Sequence, residues 1–147
     1  MPITTIKGNI LTVEHGIICH QVNCMGKMGA GLALKIRQKW PIVYQGYMYA
    51  YNNQQLILGE TLLSEIVHGQ LYVANLCGQF YYGRDKQYTD YPAVRACLLK
   101  VAEVSNNFKL PVYIPHGMGC RLAGGNWNEM LNIIEQTLQN ATIMDYN

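Results

Sequence analysis

Ile17-Ile18-Cys19-His20-Gln21-Val22-Asn23-Cys24-Met25-Gly26-Lys27-Met28-Gly29-Ala30-Gly31-Leu32-Ala33 decides how the chain is read. Residues 17–22 form a short apolar run rich in β-branched residues, which reads as a buried strand. Glycines then interrupt the pattern, and Leu32, Ala33, Ile36 and Trp40 recur at helical spacing until Pro41. The unit is strand, glycine loop, helix. Such a loop lets backbone come close to a phosphate, because no Cβ intervenes and the free N–H groups of the helix start point outward. The unit occurs a second time. Val112–Pro115 reads as a short buried strand, residues 116–125 as a glycine loop, and Asn126 as the cap of a helix with Trp127, Met130, Leu131, Ile134 and Leu138 on its apolar face.

Reading outward from these units, Ile3–Lys7 alternates as a first strand, and Gly8-Asn9 turns the chain. A helix is expected over 42–51. Strands over 61–67 and 71–76 meet at His68-Gly69. Residues 78–90 are polar, tyrosine-rich and without apolar periodicity, which predicts a functional loop or a mobile lid. Val94, Cys97, Leu98 and Val101 make one face of a further helix, and residues 141–146 the last strand. Strands alternating with helices predict an α/β class with a mixed or mainly parallel sheet covered on both faces.

Half of the 147 residues are apolar and 14% are charged, which supplies a core and excludes a disordered chain. One domain over 1–147 is expected. The formal charge of +2 is too small and too dispersed to specify a nucleic-acid or membrane surface, so an anionic ligand must be held locally. No apolar segment approaches the roughly 20 residues that span a bilayer, and no leader pattern is read, so the chain is expected to be a cytoplasmic monomer with no nucleic-acid or membrane partner. Five cysteines without a Cys-x-x-Cys pair read as reduced small hydrophobes. A zinc site from Cys19, His20 and Cys24 is opposed by the strand, whose adjacent residues point to opposite faces, so no metal or cofactor is expected.

Residues 7–11 (Lys-Gly-Asn-Ile-Leu), His20 with Asn23, residues 28–33 and the stretch from Pro115 to Trp127 together resemble the signatures of macro domains, in the right order over nearly the whole chain. The resemblance is greatest to the small single-domain branch of ADP-ribose 1''-phosphate phosphatases and terminal ADP-ribose protein glycohydrolases. It implies a three-layer α/β/α sandwich with a central mixed sheet and ADP-ribose or a derivative as ligand. It also implies roles. Asn9, where aspartate is usual, matches the residue that recognises the adenine amino group, with the Ile10 N–H on the adenine ring and Tyr146 stacked upon it. Asn23 matches the asparagine of the distal ribose, and Met28, Gly29, Ala30 and Gly31 the loop along that sugar. Gly117, Met118, Gly119, Cys120, Arg121, Leu122 and Ala123 match the pyrophosphate loop, Arg121 standing where relatives commonly carry glycine. Apart from the resemblance, Asn9 reads equally as a turn residue and Asn23 as an Asn capping its own loop.

The glycohydrolase branch uses a lysine after the middle strand and an aspartate in the second loop. Here those places hold residues 75–78 (Asn-Leu-Cys-Gly) and Ala123. The phosphatase branch shows a histidine three residues before the asparagine, which His20 and Asn23 reproduce; a histidine of near-neutral pKa protonates a leaving oxygen or activates water. The resemblance therefore implies hydrolysis of ADP-ribose 1''-phosphate to ADP-ribose, with His20 and Asn23 in the catalytic set; the 78–90 loop itself offers Asp85 as a third catalytic residue to position water and Arg84 and Lys86 to neutralise a terminal phosphate, or reads as a plain solvated loop. The alternatives are a non-catalytic ADP-ribose module and a hydrolase of ADP-ribosyl-protein or O-acetyl-ADP-ribose.

Overall fold

The apolar run of β2 (Gly16–Val22) is buried on both faces, which only an interior strand of a covered sheet allows. In the computed structural model, which describes residues 3–146, it lies between β4 (Leu71–Cys77) and β5 (Val112–Pro115). With β1 (Ile3–Lys7), β3 (Thr61–Val67) and β6 (Ala141–Asp145) the sheet order is β1-β6-β5-β2-β4-β3. Every pairing is parallel except β3 with β4, the hairpin read at His68-Gly69. The parallel strands all deliver their C-terminal ends to one edge. In open α/β sheets that edge is where ligands bind.

Side-chain alternation splits the core in two. Ile17, Cys19, Ala74, Leu76, Ile114 and Ile143 pack under α3 (Tyr91–Phe108) and α4 (Trp127–Thr137), through Val94, Cys97, Leu98, Val101, Met130 and Ile134. Ile18, Val22, Val73, Cys77 and Met144 pack on the other face against α1 (Gly31–Lys39) and α2 (Pro41–Asn52). The result is the expected α/β/α sandwich. Cys19 and His20 accordingly belong to opposite faces.

Local rules account for the ends of the helices. Asn126 caps α4 by accepting the Glu129 N–H at 3.2 Å, and Asp90 caps α3 by accepting that of Ala93 at 3.0 Å. Pro41 both stops α1 and opens α2 at its first turn, where its missing N–H costs nothing. A 3-10 turn over Ile10–Thr12, absent from the sequence reading, is capped by Asn9, whose side-chain oxygen accepts the Leu11 N–H. The last strand ends at Asp145, one residue short of the expected 146, so Tyr146 stands past the paired register and exposed.

Lys109 closes α3 in the left-handed region, at φ +57°. Replacing it with glycine removes the Cβ penalty of that conformation, so Lys109→Gly is expected to raise stability by about 0.5–1 kcal/mol, whereas Asn126→Ala lowers it by about 1 kcal/mol. Urea unfolding of both variants measures the two shifts.

Candidate functional site

A cleft of about 510 Å³ opens at the C-terminal edge of β2, β4 and β5. Its walls are the two glycine loops and the start of the 78–90 loop.

The first loop leaves β2 at Asn23, a buried polar residue. Its Oδ1 accepts from the Met25 N–H at 2.9 Å, and its Nδ2 donates to the Lys27 carbonyl at 2.8 Å. Asn23 therefore does cap its own loop. Gly29, Ala30, Gly31, Leu32 and Ala33 follow along the cleft wall, and Gly31 starts α1 in the left-handed region at φ +59°. Ala30 sits at the cap position and supplies no side-chain acceptor. The first N–H groups of α1 thus open on the cleft with their positive dipole end.

The second loop is a run of tight turns in which Met118 N–H bonds to Pro115, Cys120 to Gly117 and Gly125 to Gly119. Among the described residues no acceptor takes the N–H groups of Gly119, Arg121, Leu122 or Ala123. Gly119 has to be glycine: at φ +73°, a Cβ would stand 2.5 Å from Gln21 Oε1. Arg121 folds back over the loop, its Nε 3.0 Å from where a Cβ of Gly117 would be, and lines the cleft. The Cys120 thiol is pushed up to about 11 by burial, which keeps it protonated and unreactive at neutral pH.

The 78–90 loop is pinned, not free. Gln79 and Thr89 bridge its ends, Tyr88 N–H donates to the Ala123 carbonyl at 2.7 Å, and Thr89 Oγ1 donates to that of Gly119. Under it, Gln21 Nε2 donates to Gln79 Oε1 at 2.9 Å and to Thr89 Oγ1 at 3.0 Å. These polar partners tie the loop to the second glycine loop, and sequence reasoning missed them because their positions lie far apart along the chain. Tyr82, Gly83 and Arg84 reach the cleft.

His20 lines the cleft floor yet is almost wholly buried. Its register partner across β2 and β4 is Asn75, and His20 Nε2 bonds to Asn75 Oδ1. With Asn75 Oδ1 as the acceptor the proton sits on Nε2, and among the described residues Nδ1, like Asn75 Nδ2, has no partner. Burial lowers the ring pKa to about 4, against the upward pull of the Asn75 bond, so His20 is neutral at pH 7.

Not every expected residue reaches the cleft. Its lining includes His20, Asn23, Gly29, Ala30, Gly31, Gly117, Met118, Gly119, Arg121, Leu122 and Ala123, but not Asn9, Ile10, Met28, Asp85, Cys120 or Tyr146. Met28 is buried in the core beneath α1 and α2. Asp85 is exposed and accepts the Tyr88 hydroxyl at 2.6 Å, a bond that holds its carboxyl below the usual range. Ile10 is likewise a core residue, in the same cluster as Met144. Among the described residues the lining carries Lys27, Arg84 and Arg121 and no carboxylate.

Comparison with solved structures places this architecture. The chain superposes over 99% of its length on a macrodomain protein of Streptomyces coelicolor, covering 98% of that chain, at a TM-score of 0.82 and 23% identity. The fold is that of a macrodomain. The same fold, at a TM-score of 0.80 and 18% identity, is found in Thermosipho africanus DarTG, solved in complex with ADP-ribose; 99% of this chain aligns with 42% of that one. A Bacteroides thetaiotaomicron protein of unknown function is 33% identical over 100% of this chain and 99% of its own, at a TM-score of 0.90. No family model and no curated protein matches the sequence. No helix among the described residues is long and apolar enough to cross a membrane.

The depressed His20 pKa carries a sign. The unfolded histidine takes a proton near pH 6.5 while the folded one does not, so its contribution to stability is complete above pH 6.5 and is lost as pH falls towards 4. Ring resonances of His20 are expected to stay those of a neutral Nε2–H tautomer from pH 8 to 5, followed by long-range proton–nitrogen NMR; a midpoint near 6.5 would contradict the burial argument.

Proposed function

We propose that the cleft binds ADP-ribose and its 1''-phosphate and hydrolyses the phosphate ester. The observation that carries the reading is the set of backbone N–H groups on both glycine loops that find no acceptor among the described residues, flanked by Lys27, Arg84 and Arg121 with no described carboxylate in the lining. Backbone donors suit a pyrophosphate, and three further cations suit a ligand with more negative charge than ADP-ribose alone. The ADP-ribose bound by Thermosipho africanus DarTG supports the choice of nucleotide. In this reading the pyrophosphate lies on residues 117–123, the distal ribose on Asn23 and residues 29–31, and adenine towards Asn9, Ile10 and Tyr146. Strand order supports this polarity, since β1 and β6 carry Asn9 and Tyr146 to one end of the edge and β4 carries the 78–90 loop to the other. The domain spans 1–147 and acts as a cytoplasmic monomer on a small molecule.

In this reading a neutral His20 has no proton to give at its buried Nδ1, so its part in ester hydrolysis is that of a general base, and the ring has to be uncovered on the cleft side for a water to reach it. Arg84 and Arg121 neutralise the terminal phosphate. Two observations favour a second reading, a module that only binds ADP-ribose: His20 is sealed into the floor, and Asp85 is held outside by Tyr88.

Calorimetry is expected to give micromolar binding of ADP-ribose, about −7 to −9 kcal/mol, and weaker binding of AMP. A Cβ on Gly29 meets nothing within 4 Å, so Gly29→Glu adds a carboxylate to the cleft without strain. It should leave the thermal midpoint unchanged and weaken ADP-ribose at least about tenfold by charge repulsion at the α1 start. Phosphate release from ADP-ribose 1''-phosphate separates the readings. Turnover lost in His20→Ala with ADP-ribose affinity kept supports the phosphatase, and binding without release supports the module.

A further inference from the structure

Tyr47 is fully buried in α2, and among the described residues its hydroxyl bonds only to the first glycine loop. It donates to the Asn23 carbonyl at 2.6 Å, stands 2.9 Å from Asn23 Oδ1 and accepts the Lys27 N–H at 3.2 Å. We propose that Tyr47 is a positioning residue: it locks the Asn23 carboxamide with its oxygen inward, so that Asn23 offers the cleft one N–H donor and selects ligands with a hydroxyl or phosphoryl oxygen at that end. The inference rests on the reading of Asn23 as the distal-ribose residue.

Hydrogen-bond arithmetic fixes the orientation. The inward atom receives the Met25 N–H at 2.9 Å and shares the Lys27 N–H, 3.4 Å away, with the Tyr47 hydroxyl, and a backbone donor cannot face an amide nitrogen, so that atom is oxygen. The outward nitrogen spends one hydrogen on the Lys27 carbonyl at 2.8 Å and keeps one. Turning the carboxamide over would set donor against donor in a buried place. The Lys27 bond to Oδ1 is the long one, and the Tyr47 hydroxyl is what holds Lys27 N–H and the Asn23 backbone together around it. Burial pushes the phenol of Tyr47 up, so it remains protonated and a donor at neutral pH. Gly26 completes the arrangement: a Cβ there would lie 2.9 Å from the Tyr51 ring, one helical turn beyond Tyr47, so the loop packs directly on α2.

Tyr47→Phe keeps the ring and removes the hydroxyl. The affinity ratio of ADP-ribose to ADP, which lacks the distal ribose, separates positioning from general loosening. The variant is expected to weaken ADP-ribose roughly tenfold and ADP by less than about twofold, with Asn23→Ala marking the full loss. Equal losses for both ligands, or none, would overturn the inference. Side-chain amide resonances of Asn23 give a second readout without ligand. They should be well separated and slow to exchange with solvent in the wild type and lose that protection in Tyr47→Phe; retained protection would also overturn it. If the wild type binds ADP-ribose no better than ADP, the functional reading fails, and the amide resonances alone decide whether Tyr47 positions Asn23.

Discussion

Among the described residues, the backbone N–H groups at the start of α1 and those of Gly119, Arg121, Leu122 and Ala123 have no acceptor, and this unmet demand governs the construction of the cleft. A buried donor without a partner is costly, so such groups persist where water or a ligand satisfies them. Both sets arise for the same reason. A parallel strand ends, glycine lets the chain turn through left-handed conformations, and the following helix or turn points its free N–H groups back across the strand ends. β2 and β5 are neighbours in the sheet, so the two sets converge on one ligand.

The rest of the site keeps these loops in place. Tyr47 braces the first from α2 on one face of the sheet, and Gln21, Gln79 and Thr89 brace the second from beneath. Neither brace carries a charge. Charge enters only at the walls, through Lys27, Arg84 and Arg121, so the cleft is more positive than the chain's overall balance of +2 suggests. Fixed donors of this kind need no reorganisation when an anion arrives, and flexible cations then set how much additional charge is favoured.

Most of the fold was legible in the sequence. β2 and its glycine loop read correctly because an apolar run and a run of glycines are local signals, as are the Asn126 cap and the break at Pro41. The 3-10 turn at Ile10–Thr12 was not, being too short to show periodicity. Within the site, backbone contributions were legible and side-chain partners were not. His20 stood out as a histidine three residues before Asn23, but its partner Asn75 is 55 residues away and meets it only through sheet register. Tyr47 looked like one more tyrosine of a tyrosine-rich helix, and nothing local marks it as the brace of Asn23. Asp85, attractive as a carboxylate in a long loop, is engaged by Tyr88 three residues on, an interaction that a polar segment without periodicity does not reveal.

Amide proton–nitrogen spectra recorded during titration with ADP-ribose test the central claim most directly, because they report on the backbone donors themselves. The account predicts that Gly31 to Ala33 and Gly119 to Ala123 shift together and strongly, as unpaired N–H groups acquire anionic acceptors, while amides of β3 and of the α3 C-terminus stay still. Saturable binding with those loop amides unmoved, or with the largest shifts outside the cleft, would contradict it.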